Sequence, residues 1–547
     1  MDRRVQCRTA AADMASAALS HGRRVPPHSG AVWPTKVCSS MKRSRQSLKS
    51  GVLGLTGCVA LSLSGCKVPE ADAAEAKSPP KKAPTANVVP VSATAPAEPG
   101  KVRTPFAAAR EAYERNSVNA NPFADSNGNI PPSWQYQGPM FSLSHDYPQT
   151  PVAPPANPPW IAALKGQPIS KANALAYVNA LKAYIAPSMQ TLLYNYPRWD
   201  AAKEGWYNEP WLASIRESIH GTYVGSEFPA ATFAASGLKV DMTTYVLTYY
   251  DKVAAYALGQ VWGKTAMTPT LTNTSAQFPE GSIVIKVALT SALAKDWPVM
   301  QGASLWPVYV PPPNGPSNAK PVTMNASIMQ FDIIVKDSKT SPKTGWVFST
   351  LVYDMRVPGS PWDKMIPLGA MWGDDPNVNS TLNPGTPLQE TVINPAAPAY
   401  STATLGWGGR LSGPNDGAVV APASINGQIV PAVQASSCMS CHSVAEWPMK
   451  TFLLPTTTMP PTVVGDALVL EQPGSAAWMK WFQDNPGNVP LDPGTVPMDF
   501  DMVFAFKSLP AWQAATQGNS GMKAFEAVDL LRGTQPVNPR DLKYNGQ

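Results

Sequence analysis

The sequence predicts a multidomain α+β protein with a helical N-terminal region, an antiparallel β-sandwich-like middle and a small all-α C-terminal domain. Three patterns support this class. Apolar residues recur at helical spacing within 104–275, β-branched and aromatic runs separated by turn residues fill 276–399, and short helical patterns follow in 400–547. A chain of 547 residues is long enough for several domains.

Residues 41–65 have the organisation of a secretory signal peptide. A basic segment, Met41–Ser50, precedes an uncharged segment, Gly51–Gly65, which is too short to span a bilayer comfortably. The preceding residues 1–40 resemble no targeting element. We therefore expect translation to start at Met41, with residues 1–40 upstream of the true start.

The signal segment ends in Leu63-Ser64-Gly65-Cys66, which resembles the lipobox of bacterial lipoproteins. The resemblance implies cleavage before Cys66 and acylation of this cysteine, which would hold the mature protein on a membrane, facing the periplasm. Lys67 at the next position favours the outer membrane over the inner membrane. An ordinary signal peptide with an incidental cysteine is the alternative.

The segment that follows the lipobox differs in composition from the rest of the chain. Residues 66–103 are rich in Pro, Ala and Lys, which predicts an extended tether. Residues 1–65 contain ten of the 43 Lys and Arg but only two of the 37 Asp and Glu, so the mature chain has 33 basic and 35 acidic residues. This balance argues against a nucleic-acid-binding function.

The region 104–275 is predicted to be mainly helical. Ser170 is a candidate N-cap for a helix over Lys171–Ala186, which Pro187 would end or kink. His145 and His220 are two of the three histidines of the mature chain, and we interpret His220, near a predicted helix end, as structural.

The region 276–399 is predicted to form strands joined by turns rich in Pro, Gly and Asn. Because little helical pattern connects them, an antiparallel arrangement is favoured. The predicted strands are Ser282–Leu289, Trp306–Val310, Ser327–Lys336 and Trp346–Asp354.

The strongest chemical signal is Cys438-Met439-Ser440-Cys441-His442, the attachment signature of haem c. Two thiols one helical turn apart can each form a thioether with the porphyrin, and the following histidine can bind the iron. The motif predicts one covalent haem c, held by Cys438 and Cys441 with His442 as proximal ligand. A redox CxxC pair would need a thioredoxin-like context and a structural zinc would need four ligands, and the sequence offers neither.

The last quarter of the chain resembles the class I cytochrome c family. That resemblance implies short helices at Ser475–Gln483 and Phe500–Leu509, with a methionine ligand just before the final helix. Met498 occupies that place and is the first candidate for the distal iron ligand.

The distal ligand has alternatives. Met498 follows a proline, whereas the family usually has Met before Pro; Met459 has that order and is the second candidate. His220, His145 and an open iron site remain further alternatives. A His/Met pair suits electron transfer, and an open site permits peroxide or gas chemistry.

Three further stretches are similar to a group of bacterial proteins with a single haem. They are Phe278-Pro279-Glu280-Gly281, residues 345–354 and residues 405–413. The similarity spans most of the mature chain and implies no particular reaction.

These observations predict a lipid-anchored periplasmic cytochrome c that passes single electrons between redox partner proteins. One alternative is a peroxidase-like enzyme or an oxidoreductase that uses the haem as a relay, with a substrate site in 104–399, because that segment is larger than electron transfer requires. Another is a ligand-binding or sensor module.

Overall fold

The computed structural model describes residues 121–517, apart from 314, 316–318, 417–419 and 466. The start at Met41, the signal peptide, Cys66 and the tether therefore lie outside the described residues. Within the described part, no helix is long and apolar enough to cross a membrane.

The helices are few and mostly short. They are α1 (Pro159–Ala163), α2 (Ala174–Tyr194), α3 (Ala201–Glu204), α4 (Ala255–Trp262), α5 (Cys438–His442) and α6 (Leu509–Gln517). A π-helical turn, Phe504–Ser508, leads into α6. The long helix α2 starts later than predicted and continues through Pro187, because Met189, Leu192 and Leu193 beyond the proline are buried in the core.

Most of the described chain is β-structure. The first nine strands are β1 (Trp206–Tyr207), β2 (Tyr223–Phe228), β3 (Met242–Asp251), β4 (Ile283–Thr290), β5 (Leu305–Val310), β6 (Val322–Lys336), β7 (Trp346–Tyr353), β8 (Met365–Met371) and β9 (Thr391–Ile393). They form one nine-stranded antiparallel sheet in the order β1-β3-β4-β6-β7-β8-β9, with β2 on β3 and β5 on β6.

Two smaller sheets follow. Their strands are β10 (Val420–Ile425), β11 (Gln428–Gln434), β12 (Glu446–Trp447), β13 (Val463–Val464), β14 (Ala467–Val469) and β15 (Val496–Pro497). The first sheet has the order β11-β10-β14-β13, and the second pairs β12 with β15. The β12–β15 pair joins the segment just after Cys438-Met-Ser-Cys-His442 to the segment just before Asp499.

The predicted fold class is wrong. The region expected to be helical contains β1, β2 and β3, which extend the main sheet, and the expected sandwich is this single nine-stranded sheet. The C-terminal region is not a small all-α domain: Ser475–Gln483 contains only a 3₁₀ turn at Trp478–Lys480, because Pro473-Gly474 and Asn485-Pro486-Gly487 bound it closely. Residues from Phe141 to Leu509 share one hydrophobic core.

The two faces of the central strands have different surroundings. Alternate residues of a strand point to opposite faces, and Leu247, Ile285 and Ile333 are fully buried in the apolar core on one face, which we call the packed core. Neighbouring even-numbered residues line a cavity on the other face. The sheet thus serves as core on one side and as the wall of a site on the other.

Candidate functional site

The floor of the cavity is formed by even-numbered residues of four adjacent strands. Antiparallel register places these residues side by side: Thr248 of β3 opposite Lys286 of β4, Lys286 opposite Asp332 of β6, and Asp332 opposite Thr350 of β7. Two residues along the same strands, Tyr250, Val284, Ile334 and Phe348 form a second, apolar row on the same face. The floor is therefore half polar and half apolar.

The opposite wall comes from the C-terminal region. Cys438, Cys441 and His442 of α5 line the same cavity, together with residues 499–503 and Lys507. The cavity contains about 1360 Å³ of space not filled by protein atoms, part of it open to solvent. Both thiols and the imidazole of the signature thus face one cavity.

Helix α5 is short, and its N-terminus is held by side chains. Ser437 Oγ accepts the N–H of Ser440 at 2.9 Å, and Ser440 Oγ accepts the N–H of Ser437 at 2.8 Å, which is a capping box. Ser437 Oγ also donates to Asp374 Oδ1 at 2.8 Å. These bonds fix the orientation of the turn that carries the two cysteines.

A buried arginine connects this cap to the main sheet. Arg410 is fully buried and donates to the backbone carbonyls of Asp374 and Asp375 at 2.9 and 3.0 Å. Its guanidinium lies 4.7 and 5.0 Å from the ring centroids of Trp407 and Phe482. Stacking and multiple donation at fixed geometry are properties that lysine lacks. The stretch 405–413, singled out in the sequence, therefore meets Asp374 and Asp375 behind the cysteines.

The ring of His442 has a defined tautomer. Nδ1 lies 2.7 Å from the carbonyl oxygen of Phe500, and because a carbonyl only accepts, Nδ1 carries the proton and donates it. Nε2 is then the nitrogen with a free lone pair. The ring also packs edge-on against Phe348 at 5.0 Å, and burial lowers the pKa of His442 to about 4, so the ring is neutral at pH 7.

The carbonyl that orients His442 belongs to a strained turn. Asp499 and Phe500 both have left-handed backbone angles, with φ of 45° and 68°. Non-glycine residues rarely adopt this conformation and need support from their surroundings. Asp499 supplies it, because its carboxylate accepts from Lys336 Nζ at 2.6 Å, Trp346 Nε1 at 2.8 Å and the N–H of Phe278 at 2.9 Å.

The two thiols are protonated in this environment. Burial raises the pKa of Cys438 well above its ordinary value and raises the pKa of Cys441 to about 12, and nearby Asp416 adds to both effects. Redox-active CxxC pairs depend on a lowered thiol pKa. The pair therefore lacks the electrostatics of a thioredoxin-like site.

The polar part of the cavity floor is an ion cluster. Lys286 Nζ lies 2.9 Å from Asp332 Oδ2 and 3.1 Å from Asp416 Oδ1, and Thr350 Oγ1 donates to Asp332 Oδ1 at 2.7 Å. Burial lowers the pKa of Lys286, but the two carboxylates outweigh it and hold the pKa well above its ordinary value. The cluster consists of one cation and two acids beside the cysteines.

The other candidate ligands lie elsewhere. Met498 is fully buried outside the cavity lining, and its N–H extends the β12–β15 pair by donating to Ala445 at 2.9 Å. Met459 also lies outside the lining. His220 stacks on Trp306 at 4.4 Å in an aromatic cluster away from the cavity, and His145 is near Phe123 and Tyr147.

Several residues of the site had no signal in the sequence. Met502 and Lys507 line the cavity, and Asp499 with the Phe500 carbonyl holds His442. Their roles depend on pairings between segments far apart in the chain. Only the alternation within 282–289 and 346–354 could have indicated that Lys286 and Thr350 share a face with apolar neighbours.

No family model matches the chain, and a search of curated proteins found no match.

Proposed function

We propose that this protein is an exported c-type cytochrome that binds one haem covalently and passes single electrons. The observation that carries the proposal is the convergence of Cys438, Cys441 and His442 on one cavity, with His442 Nδ1 donating to the Phe500 carbonyl. That hydrogen bond leaves Nε2 for a metal, and metal-binding histidines commonly donate their other ring N–H to a carbonyl or carboxylate.

The donor set fits a covalent haem. Two thiols one helical turn apart can each add to one vinyl group of a haem, and a neutral imidazole suits iron ligation. The apolar row of Tyr250, Val284 and Phe348 offers a surface for a planar macrocycle. When bound, the haem supplies one-electron redox chemistry.

The chain's own residues would tune that chemistry. Much of the cavity wall is apolar, and a low dielectric favours the less charged redox state of a bound group. Two acids around Lys286 favour the more positive, oxidised state. Asp499 and Phe500 hold the imidazole orientation, and thus the strength of its bond to a metal.

Attachment to a membrane is the second part of the proposal. It rests on the signal segment and on Cys66, which would carry the acyl chains at the periplasmic face of the outer membrane. The Pro- and Ala-rich tether would then separate the folded body from the lipid surface.

A haem enzyme is a second candidate, favoured by one observation. Neither Met498 nor Met459 lines the cavity, whereas the Lys286–Asp332–Asp416 cluster does. Acid and base groups beside an open coordination position are what peroxide chemistry uses. Met502, the methionine that does line the cavity, is the matching candidate ligand for the electron carrier.

The experiment is mass and absorption spectroscopy of the protein expressed with its signal peptide in a bacterium that matures c-type cytochromes. We expect a mass increment of one haem, and its loss in the Cys438→Ser, Cys441→Ser double variant. A Ser443→Ala variant, which keeps both thiols and the capping box, is the control. A colourless protein without the increment contradicts the proposal. A high-spin ferric spectrum with turnover of peroxide selects the enzyme.

A further inference from the structure

One lysine that lines the cavity has no assigned role. Lys507 lies in the π-helical turn Phe504–Ser508, lines the cavity and is 8% exposed. Its Nζ is buried and has no hydrogen-bond partner among the described residues. The amine lies 4.3 Å from the ring centroid of Tyr223, which also lines the cavity. Single π-helical turns often occur at functional sites.

Charge pairing in the cavity leaves this amine without a carboxylate. Lys286 is paired with Asp332 and Asp416. Asp501 also lines the cavity, but one of its oxygens accepts the N–H groups of Val503 and Phe504. A buried cation without a counter-charge costs stability, and a π face compensates only part of that cost. Burial, with repulsion from Lys286, lowers the pKa of Lys507 to about 7.

The amine therefore fits an anionic group brought in by the ligand. Haem has two propionate carboxylates, and a buried carboxylate needs a cation or several hydrogen-bond donors. We propose that Lys507 forms an ion pair with a propionate of the haem, an inference that rests on the proposed function. The Tyr223 ring lies beside the amine, and the ion pair would help to hold the macrocycle in the cavity.

The test compares haem-loaded wild type with Lys507→Met, which removes the charge at similar length, and with Lys507→Arg, which keeps it. Lys203→Met, at a lysine whose side chain is 83% exposed, is the matched control. Lys507→Gln repeats the measurement if the methionine variant does not fold. Three quantities are measured on the purified holoprotein: the ferric absorption spectrum, the midpoint potential, and the propionate bending band in the resonance Raman spectrum.

We expect Lys507→Met to keep the ferric spectrum, to lower the midpoint potential and to shift the propionate band, while Lys507→Arg restores both. The potential falls because the lost cation stabilised the reduced, more negative state. A change of spin state in Lys507→Met would show that the amine binds iron, and overturns the inference. Responses equal to those of Lys203→Met also overturn it. If the mass of the purified wild-type protein shows that no haem is bound, the proposed function itself is wrong.

Discussion

The two faces of the nine-stranded sheet are made by neighbouring residues of the same strands, yet they have opposite character. On β6, Ile333 is fully buried in the packed core, whereas Ile334 beside it lines the cavity with Asp332. The packed core is apolar and continuous. The cavity face carries an ion cluster that a simple core would not need, because buried charges cost free energy unless they are paired.

The two histidines on either side of this division show the same contrast. His220 lies in an aromatic cluster with Phe141, Tyr196 and Trp306, and His442 lies at the cavity with its Nδ1–H donated to a carbonyl. Burial lowers the pKa of both, to about 3 and about 4. Burial alone therefore does not separate a structural histidine from a candidate ligand. The fixed tautomer and the adjoining cavity do.

Substituting each histidine gives the largest expected difference between the two regions. If the protein binds haem as proposed, we expect His442→Ala to lose the wild-type haem absorption spectrum, because the iron would lose its proximal nitrogen. His220→Phe should keep that spectrum, since its ring lies in the packed aromatic cluster. The test compares the absorption spectra of the two purified variants at equal protein concentration. Equal spectral changes in the two variants would contradict the division into cavity and core.

The adjacent isoleucines of β6 sharpen the comparison through stability. Ile333→Ala should lower the free energy of unfolding by about 2–5 kcal/mol, because it opens a hole in a close-packed core. Ile334→Ala should cost less, since its side chain already borders a cavity, and should instead change the midpoint potential of the bound haem. Urea unfolding and redox titration of the holoproteins measure both. A reversed order of stability loss would show that the faces are assigned wrongly.

Much of the main sheet could be predicted because its strands have strong local signals. The four strands predicted between residues 282 and 354 all exist, with three of them within about one residue of β4, β5 and β7 at both ends. The complete nine-stranded sheet was not predicted, because the order of its strands depends on contacts between residues far apart in the chain. β3 reads as part of a helical region, and its pairing with β4 depends on residues far along the chain.

The site was predictable only where its chemistry is contiguous. Cys438, Cys441 and His442 form one motif, and the structure brings all three to one cavity. The surrounding groups come from separate segments, so no spacing rule links Lys286 or Lys507 to the cysteines. Met498 illustrates the limit: the same short stretch holds Asp499 and Phe500, which support His442 through a backbone carbonyl that carries no sequence signal.

Substituting Asp499 tests whether the cavity depends on the turn at Asp499 and Phe500, whose carbonyl orients His442. Asp499→Asn should lower the free energy of unfolding by about 1–3 kcal/mol, because buried Lys336 loses its charged partner. Asparagine tolerates left-handed backbone, so the turn itself is kept. The control is Asp200→Asn, whose partner Lys203 is 83% exposed and whose side chain is itself 39% exposed, with an expected loss of about 0–1 kcal/mol. Unfolding and ferric absorption spectra are compared. If the cavity does not depend on Asp499, the two variants will show the same loss of unfolding free energy and the same ferric absorption spectrum.

The last comparison concerns the packed aromatic cluster around His220 and its response to acid. Burial lowers the pKa of His220 to about 3, against about 6.5 in an unfolded chain, so below pH 6.5 the unfolded state binds a proton that the native state excludes. Stability therefore falls as pH falls from about 6.5 towards 3, by up to about 1.4 kcal/mol per pH unit from this residue. His220→Phe removes that contribution, while His145 and the carboxylates act equally in both proteins. Urea unfolding between pH 7 and pH 5 should show wild type losing more stability than the variant; parallel curves would mean that the His220 ring is not buried as a neutral group.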